Sequence, residues 1–236
     1  MNIALILAGG TGTRVNTETP KQFIKIYEKT IIEYTLDVFE RHPKIDEIFI
    51  VINAQYVAEA EILLKKANYK KVKRVLLGGA ERQDSTWAAI NACKEHPDAN
   101  LIIHDAVRPM VDAEIITEVI CKLETYNTVT VAIPTIDTIY EVKENYIKHI
   151  PNRKKLMRAQ TPQAFKQHII QTAYQAAFNQ NDYTATDDCG VVAKYLPDEP
   201  IFVVSGNERN VKITHQKDLY LLEKILKSQT PPYIEE

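Results

Sequence analysis

The sequence predicts an α/β fold: a Rossmann-like, mainly parallel twisted sheet with helices on both faces and a protruding β-arm. Three observations carry this. The apolar run Asn2–Leu7 empties directly into the glycine-rich stretch Ala8-Gly9-Gly10-Thr11-Gly12-Thr13-Arg14, as a buried first strand does in this class. Short apolar runs then alternate with helix-length amphipathic segments as far as Pro134, and such alternation implies right-handed crossovers and parallel pairing. After Pro134 the rhythm gives way to two mixed polar and apolar arms around Lys143-Glu144-Asn145, the pattern of a β-hairpin.

In order, Thr30–Glu40 carries a helical stripe of Ile31, Ile32, Tyr34, Thr35, Val38 and Phe39. Glu47–Ile52 reads as a second buried strand, Val57–Lys66 as a second helix and Val72–Leu77 as a strand leading into Gly78-Gly79. A helix from about Ser85 to Lys94, a strand Leu101–His104, a helix Asp112–Leu123 and a strand Val129–Ile133 follow. Thr138–Val142 and Tyr146–Ile150 are the hairpin arms. Each needs cover for one face, from its own fold or from a partner subunit. Gln167–Phe178, Asp187–Tyr195 and Gln216–Lys227 read as helices, with Ile201–Val204 and Val211–Ile213 as short strands and the tail from Thr230 as frayed.

At 236 residues the chain is long enough for a full core, read here as one domain. With 29 Lys and Arg against 31 Asp and Glu, interspersed, there is no electrostatic footprint for nucleic acid or a membrane surface. Cys93, Cys121 and Cys189 are far apart and form no CxxC, which fits reduced thiols rather than a disulfide framework or zinc site. The first apolar run breaks at glycine, too soon for a signal peptide or a membrane span. The expectation is a soluble, cytoplasmic protein.

The first loop is the leading functional candidate. Gly9, Gly10 and Gly12 let backbone N–H groups approach a ligand, and Arg14 and Lys21 add fixed positive charge. A phosphate-binding loop at a strand's carboxyl end fits, with a plain tight turn as the bland alternative. The Gly-Lys-Ser/Thr of a Walker A loop is absent, and so is the third glycine of a dinucleotide fingerprint.

Other strand ends add Gly78–Ser85, His104–Pro109 and Pro134–Thr138. An Asp at the tip of a buried strand, like Asp105, is costly without a cation or donors; an N-cap or turn role is the alternative. His104 beside it is expected to be a hydrogen-bonded structural residue. Lys212, inside Val-Lys-Ile, has a constrained direction. Arg14, Lys21, Arg82, Arg108 and Lys212 together give abundant positive charge, while no Cys–His pair, Gly-x-Ser-x-Gly or HExxH supplies a nucleophile or base. That suits transfer between two phosphorylated substrates. A phosphate nucleophile is already largely dianionic at neutral pH, with a second pKa of about 6, and needs holding rather than deprotonating.

The motifs Leu7-Ala-Gly-Gly-Thr-Gly-Thr-Arg14, Pro20-Lys21-Gln22, Gly78-Gly79…Arg82…Ser85, His104-Asp-Ala-Val-Arg-Pro109, Asp137-Thr138, Arg153, Gln160-Thr-Pro-Gln163, Thr186-Asp187 and Asn210-Val-Lys-Ile-Thr214 occur in order. In this the chain resembles the polyol-phosphate cytidylyltransferases, whose branches act on 2-C-methyl-D-erythritol 4-phosphate and D-ribitol 5-phosphate. The resemblance runs from Leu5 to about Leu226.

It implies one nucleotidyltransferase domain over residues 1–236 with an arm at about 134–156 that interlocks two subunits of a homodimer. CTP would bind at Leu7, Ala8, Gly9, Gly10, Thr11, Gly12, Gly79, Ala80, Arg82 and Ser85. Arg14, Lys21 and Lys212 would be catalytic, neutralising the triphosphate and the pentavalent α-phosphorus. Asp105, Ala106, Arg108 and Thr161 would face the polyol phosphate, with Thr138 and Arg153 from the other subunit's arm. Mg2+ would bridge phosphate oxygens, with Asp105 as a candidate protein ligand. Ala80 stands where several members carry Asp, so a side-chain contact there is missing.

Leu7-Ala-Gly-Gly10 and Ile150-Pro-Asn-Arg153 resemble the ribitol branch, whereas His104-Asp-Ala-Val and Ala159-Gln160 also occur in the methylerythritol branch. The expected reaction is CTP plus D-ribitol 5-phosphate to CDP-ribitol and diphosphate. A nicotinamide-dependent oxidoreductase is disfavoured by the absent third glycine and the lack of a Tyr/Lys or Cys/His set. A non-catalytic nucleotide binder is disfavoured by the retained Arg14, Lys21 and Lys212.

Overall fold

In the computed structural model, which describes residues 1–10 and 19–229, the seven-stranded sheet runs in the order β11-β7-β10-β6-β1-β4-β5. Its strands are β1 (Asn2–Ala8), β4 (Glu47–Ile52), β5 (Val72–Leu77), β6 (Asn100–Asp105), β7 (Thr128–Pro134), β10 (Met157–Lys166) and β11 (Ile201–Ser205). Two small ribbons stand apart from it: β2 (Lys25–Ile26) with β3 (Lys29–Thr30), and β8 (Glu141–Lys143) with β9 (Tyr146–His149). The helices are α1 (Ile31–Arg41), α2 (Val57–Ala67), α3 (Arg82–Ala92), α4 (Ala113–Lys122), α5 (Gln167–Asn179), α6 (Asp188–Tyr195) and α7 (Gln216–Gln229).

Alternation along the strands builds two cores. Ala4, Ile6 and Ala8 of β1 and Ile48, Ile50 and Ile52 of β4 join Ile32, Leu36 and Phe39 of α1 and Ile116 and Val119 of α4 on one face. Ile3 and Leu5 of β1 and Phe49 and Val51 of β4 turn to the other, against Ile90 of α3, Ile170 and Tyr174 of α5 and Val191 and Val192 of α6. The period of two in the strands meets helical stripes on both sides, so the sheet is covered twice. A third cluster of Ile26, Ile31, Ile213 and Leu222 ties α7 to the β2–β3 ribbon.

The parallel expectation holds for β11/β7, β6/β1, β1/β4 and β4/β5. No hydrophobic pattern announces β10, which lies antiparallel between β7 and β6. Its Gln160, Thr161, Pro162 and Gln163 form no apolar run, yet all four are buried at a register shift between Gln160 and Gln163, the kind of position where a strand tolerates proline. Two further expectations are corrected. The third helix begins at Arg82 rather than Ser85, because Glu81 and Asp84 form a reciprocal capping box at its start. Val211–Ile213 is not a strand; it is anchored instead by the Ile213 N–H donating to the Val107 carbonyl at 2.8 Å.

The chain steps from β1 to β4 and β5 on one side, then returns through α3 to β6 on the other side of β1. The order therefore reverses between β1 and β6, and ligands of open α/β sheets bind in the crevice outside such a reversal. Gly9 leaves one of these strands and Asp105 ends the other.

Candidate active site

Two loops and the first turn of α3 meet at this reversal. Gly78 donates its N–H to the Ile52 carbonyl at 2.7 Å, which draws the loop after β5 inward. A Cβ on Gly78 would come 2.8 Å from the Ser85 hydroxyl oxygen and one on Gly9 3.1 Å, so these glycines make room for Ser85. Gly79 is held to glycine by Asp84, whose Cβ an added Cβ would meet at 2.2 Å. Among the described residues, a Cβ on Gly10 would meet nothing within 4 Å. Ala80 is exposed, and Leu7 is half-buried opposite Asp105 in the β1–β6 register.

The Gln22 amide donates to the Ala8 carbonyl at 2.9 Å and the Gly10 carbonyl at 3.3 Å. This clamps the short 3₁₀ turn Lys21–Phe23 to the first loop. Lys21, the first residue of that turn, is itself buried. Thr11, Gly12 and Arg14 lie outside the described residues.

Below the loop, a cavity of about 210 Å3 is lined by Arg82, Asp105, Arg108, Thr161, Thr186 and Lys212, among others. Asp105 is its centre. Its Oδ2 lies 3.0 Å from Lys212 Nζ and 3.2 Å from Arg108 Nε. Burial alone would push this carboxyl up, but Lys212, Arg82 and Arg108 outweigh it and hold it at about 2. Arg108 is fixed a second time by donating from Nη1 to the Asn210 carbonyl at 2.8 Å. Asn210 in turn donates to the Thr161 carbonyl at 2.8 Å.

The opposite wall is a second ion pair. Arg82 donates from Nη1 and Nη2 to the two oxygens of Asp188 at 2.8 and 2.6 Å. Tyr174 donates to the same carboxylate at 2.5 Å, and the Asp188 N–H donates to Gln163 Oε1 at 3.1 Å. Burial works against the Arg82 charge, yet Asp188 leaves the guanidinium harder to deprotonate than in water. Asp187 caps α6 by accepting from the Gly190 N–H at 2.8 Å, and its other oxygen accepts from Gln163 at 2.7 Å.

The structure thus brings Arg82, Asp105, Arg108, Thr161 and Lys212 to one cavity, with Ser85 against Gly9 and Gly78 and Lys21 in the turn that Gln22 ties to the first loop. It does not bring Ala106 there. Ala106 is fully buried in the core, with its N–H on the Leu7 carbonyl at 3.0 Å and its carbonyl accepting from Thr35 at 2.8 Å, so neither side chain nor backbone is left for a substrate. Thr138 and Arg153 lie on the exposed arm, where Arg153 donates to the Ile136 carbonyl at 2.7 Å. Gln22, Gln163 and Asn210, which stand inside the quoted motifs without an assigned site role, and Asp188, which stands in none of them, carry much of the geometry.

Residues 2–228 match the family described as IspD: 2-C-methyl-D-erythritol 4-phosphate cytidylyltransferase. The chain belongs to this family. It is a nucleotidyltransferase, a cytidylyltransferase. A bifunctional ribulose 5-phosphate reductase/CDP-ribitol pyrophosphorylase of Haemophilus influenzae is 45% identical over 97% of this chain. The chain spans about half of that relative, 49% of its length. A 2-C-methyl-D-erythritol 4-phosphate cytidylyltransferase of Thermobifida fusca is 41% identical, over 95% of this chain and 93% of its own. Among solved structures, the 4-diphosphocytidyl-2C-methyl-D-erythritol synthase of Anaerococcus prevotii superposes with a TM-score of 0.83 at 29% identity, covering 96% of each chain. That enzyme shares the fold described above, and the nicotinamide reading is set aside. Among the described residues no helix is long and apolar enough to cross a membrane.

Proposed function

We propose that this enzyme transfers the cytidylyl group of CTP to D-ribitol 5-phosphate, giving CDP-ribitol and diphosphate. What supports the acceptor is the 45% identity to a CDP-ribitol pyrophosphorylase across 97% of the chain, together with Leu7-Ala-Gly-Gly10 and Ile150-Pro-Asn-Arg153. What supports the chemistry is the juxtaposition of an open glycine loop with a rim of lysine and arginine at the sheet's reversal point.

In this reading the triphosphate lies over Gly9 and Gly10, and the cytosine lies toward Gly79, Ala80 and Ser85. An oxygen of the acceptor phosphate attacks the α-phosphorus, forming one P–O bond as the bond to the β-phosphate oxygen breaks. No proton moves, so no general base is required. Arg14, Lys21 and Lys212 stabilise the charge gathering on the α-phosphoryl oxygens, and such electrostatic stabilisation dominates catalysis in most transfers of this kind. Asp105 and Arg108 face the acceptor.

Among the described residues no three His, Cys, Asp or Glu side chains form a cage for a metal. The ionised carboxylate of Asp105 fits a Mg2+ that arrives on the phosphates, since this ion commonly takes one or two carboxylates and keeps several waters. Bound there, the metal would neutralise phosphate charge.

We further propose a homodimer through the arm. Ile136, Ile139, Tyr140, Val142, Tyr146 and Ile147 are all exposed on it, and clustered exposed apolar residues mark interaction surfaces. Docking it on a second copy would bring Thr138 and Arg153 to the partner's site.

The test is diphosphate release from CTP and Mg2+, with D-ribitol 5-phosphate and 2-C-methyl-D-erythritol 4-phosphate as parallel acceptors. A kcat/KM favouring ribitol 5-phosphate by about 100-fold or more, roughly 2.7 kcal/mol, is expected. Preference for methylerythritol 4-phosphate, the acceptor named for the Thermobifida fusca relative, would overturn the acceptor and keep the chemistry.

A further inference from the structure

His104 is the residue of β6 immediately before Asp105 and is fully buried. Both ring nitrogens are engaged. Nδ1 lies 2.9 Å from the Thr161 hydroxyl, and Nε2 lies 3.1 Å from the Arg108 carbonyl oxygen. A carbonyl can only accept, so Nε2 carries the hydrogen and Nδ1 accepts from Thr161. The same hydroxyl oxygen accepts the Asp105 N–H at 3.2 Å. One imidazole thus links β10, through Thr161, to the turn from Asp105 to Arg108.

That turn is where the two acceptor-facing groups originate. The Arg108 N–H donates to the Asp105 carbonyl at 3.0 Å. From there the guanidinium reaches Asp105 and the Asn210 carbonyl. The side chain that holds the Arg108 carbonyl is His104. With Nε2 on a carbonyl and Nδ1 on a hydroxyl, the ring is used as a neutral imidazole, and the Phe39 ring at 5.1 Å closes the other side. A neutral group with one donor and one acceptor, both used at the base of this turn, is suited to aim rather than to exchange protons.

We propose that His104 is a positioning residue for acceptor recognition: its Nε2–H fixes the Arg108 backbone and so aims the Arg108 guanidinium at the acceptor phosphate. The inference rests on the cytidylyltransferase reading above. It assigns the two ring nitrogens unequal functions. Nε2 sets substrate affinity, while Nδ1 serves to choose the tautomer.

Two substitutions separate the nitrogens. The amide of His104→Gln reaches the place of Nε2 and can donate to the Arg108 carbonyl. The amide of His104→Asn stands near Nδ1, can accept from Thr161 and stops short of Arg108. The expected result is an acceptor KM about 10-fold higher for His104→Asn than for His104→Gln, the size of one lost hydrogen bond. The KM for CTP should stay within about 3-fold of the native value in both. Equal acceptor KM values in the two variants, or KM values for both substrates rising together, would mark His104 as merely structural and overturn the proposal.

A second measurement needs no variant. Long-range 1H–15N correlation on the native enzyme should show the His104 ring as the Nε2–H tautomer from about pH 5.5 to 8, the range in which an ordinary imidazole would titrate. An Nδ1–H tautomer would overturn the proposal even if neither variant folds. A native enzyme that turns over neither acceptor would count against the functional reading alone, since the tautomer is read without substrate.

Discussion

Two buried carboxylates, Asp105 lining the cavity and Asp188 behind its Arg82 wall, are neutralised in different ways. Asp188 is wholly buried, and both of its oxygens are taken by the Arg82 fork, with Tyr174 added. Asp105 instead meets its cations through one oxygen, from Arg108, whose side chain is 12% exposed, and from Lys212, at 44%. A planar fork on a carboxylate inside the fold is fixed geometry. An ammonium on a flexible stem at the rim can leave for another anion. The first pair joins α3 to α6 and holds a wall in place; the second holds a cation at the edge of the cavity. Charge counted from sequence does not separate these cases, because Arg82 and Lys212 look alike until their partners are known.

The largest effect expected from this difference is on turnover. Lys212→Ala should lower kcat about 1000-fold, as loss of a group that meets developing charge does, while the melting temperature stays within a few degrees because Arg108 still holds Asp105. A steady-state assay with diphosphate detection and a thermal melt check both halves. A near-native kcat would mean that Lys212 is an ordinary rim lysine. Asp188→Ala should invert the pattern. Leaving Arg82 without its buried partner should cost about 3 kcal/mol of unfolding free energy, measured by urea titration. Replacing both members with apolar residues, Arg82→Met with Asp188→Leu, should recover most of it. A single-variant cost below about 1 kcal/mol would place this pair among exposed salt bridges and erase the contrast.

The same comparison shows what was legible in the sequence. Asp105 could be read because an acid closing the run Leu101-Ile-Ile-His104 stands out against apolar neighbours. Asp188 could not. It follows Asp187 at the start of a helix, where one acid is the N-cap and the next passes for a favourable charge at the macrodipole. Its real partner is 106 positions earlier. The strand β10 was hidden for a related reason: Gln160, Thr161 and Gln163 are polar, and long-range bonds, among them those to Asn207, His104 and Asp187, make their burial tolerable. Periodicity found the elements whose stability comes from apolar contact, including every strand that pairs parallel in the sheet. It could not find those stabilised by long-range polar pairing. Ala106, assigned to the site through the family resemblance, turns its side chain into the core.

The acid limb of stability sharpens the comparison last. Asp105 is held at about 2, below its unfolded value near 3.9. Its contribution is complete above about pH 4 and is lost only as pH falls toward 2, so it is silent between about pH 4 and 6.5. His104 is different: burial places it at about 4 in the folded chain against about 6.5 unfolded. Between those values the unfolded chain takes up a proton that the folded chain refuses, and stability falls as pH falls. One such group gives a slope of about 1.4 kcal/mol per pH unit. His42, lowered chiefly by its own burial, adds in the same direction. Urea titrations of native protein and His104→Gln at several values between about pH 7 and 4.5 should therefore give a shallower slope for the variant. Parallel slopes would mean that His104 titrates normally, and that the turn beneath Asp105 is open to water.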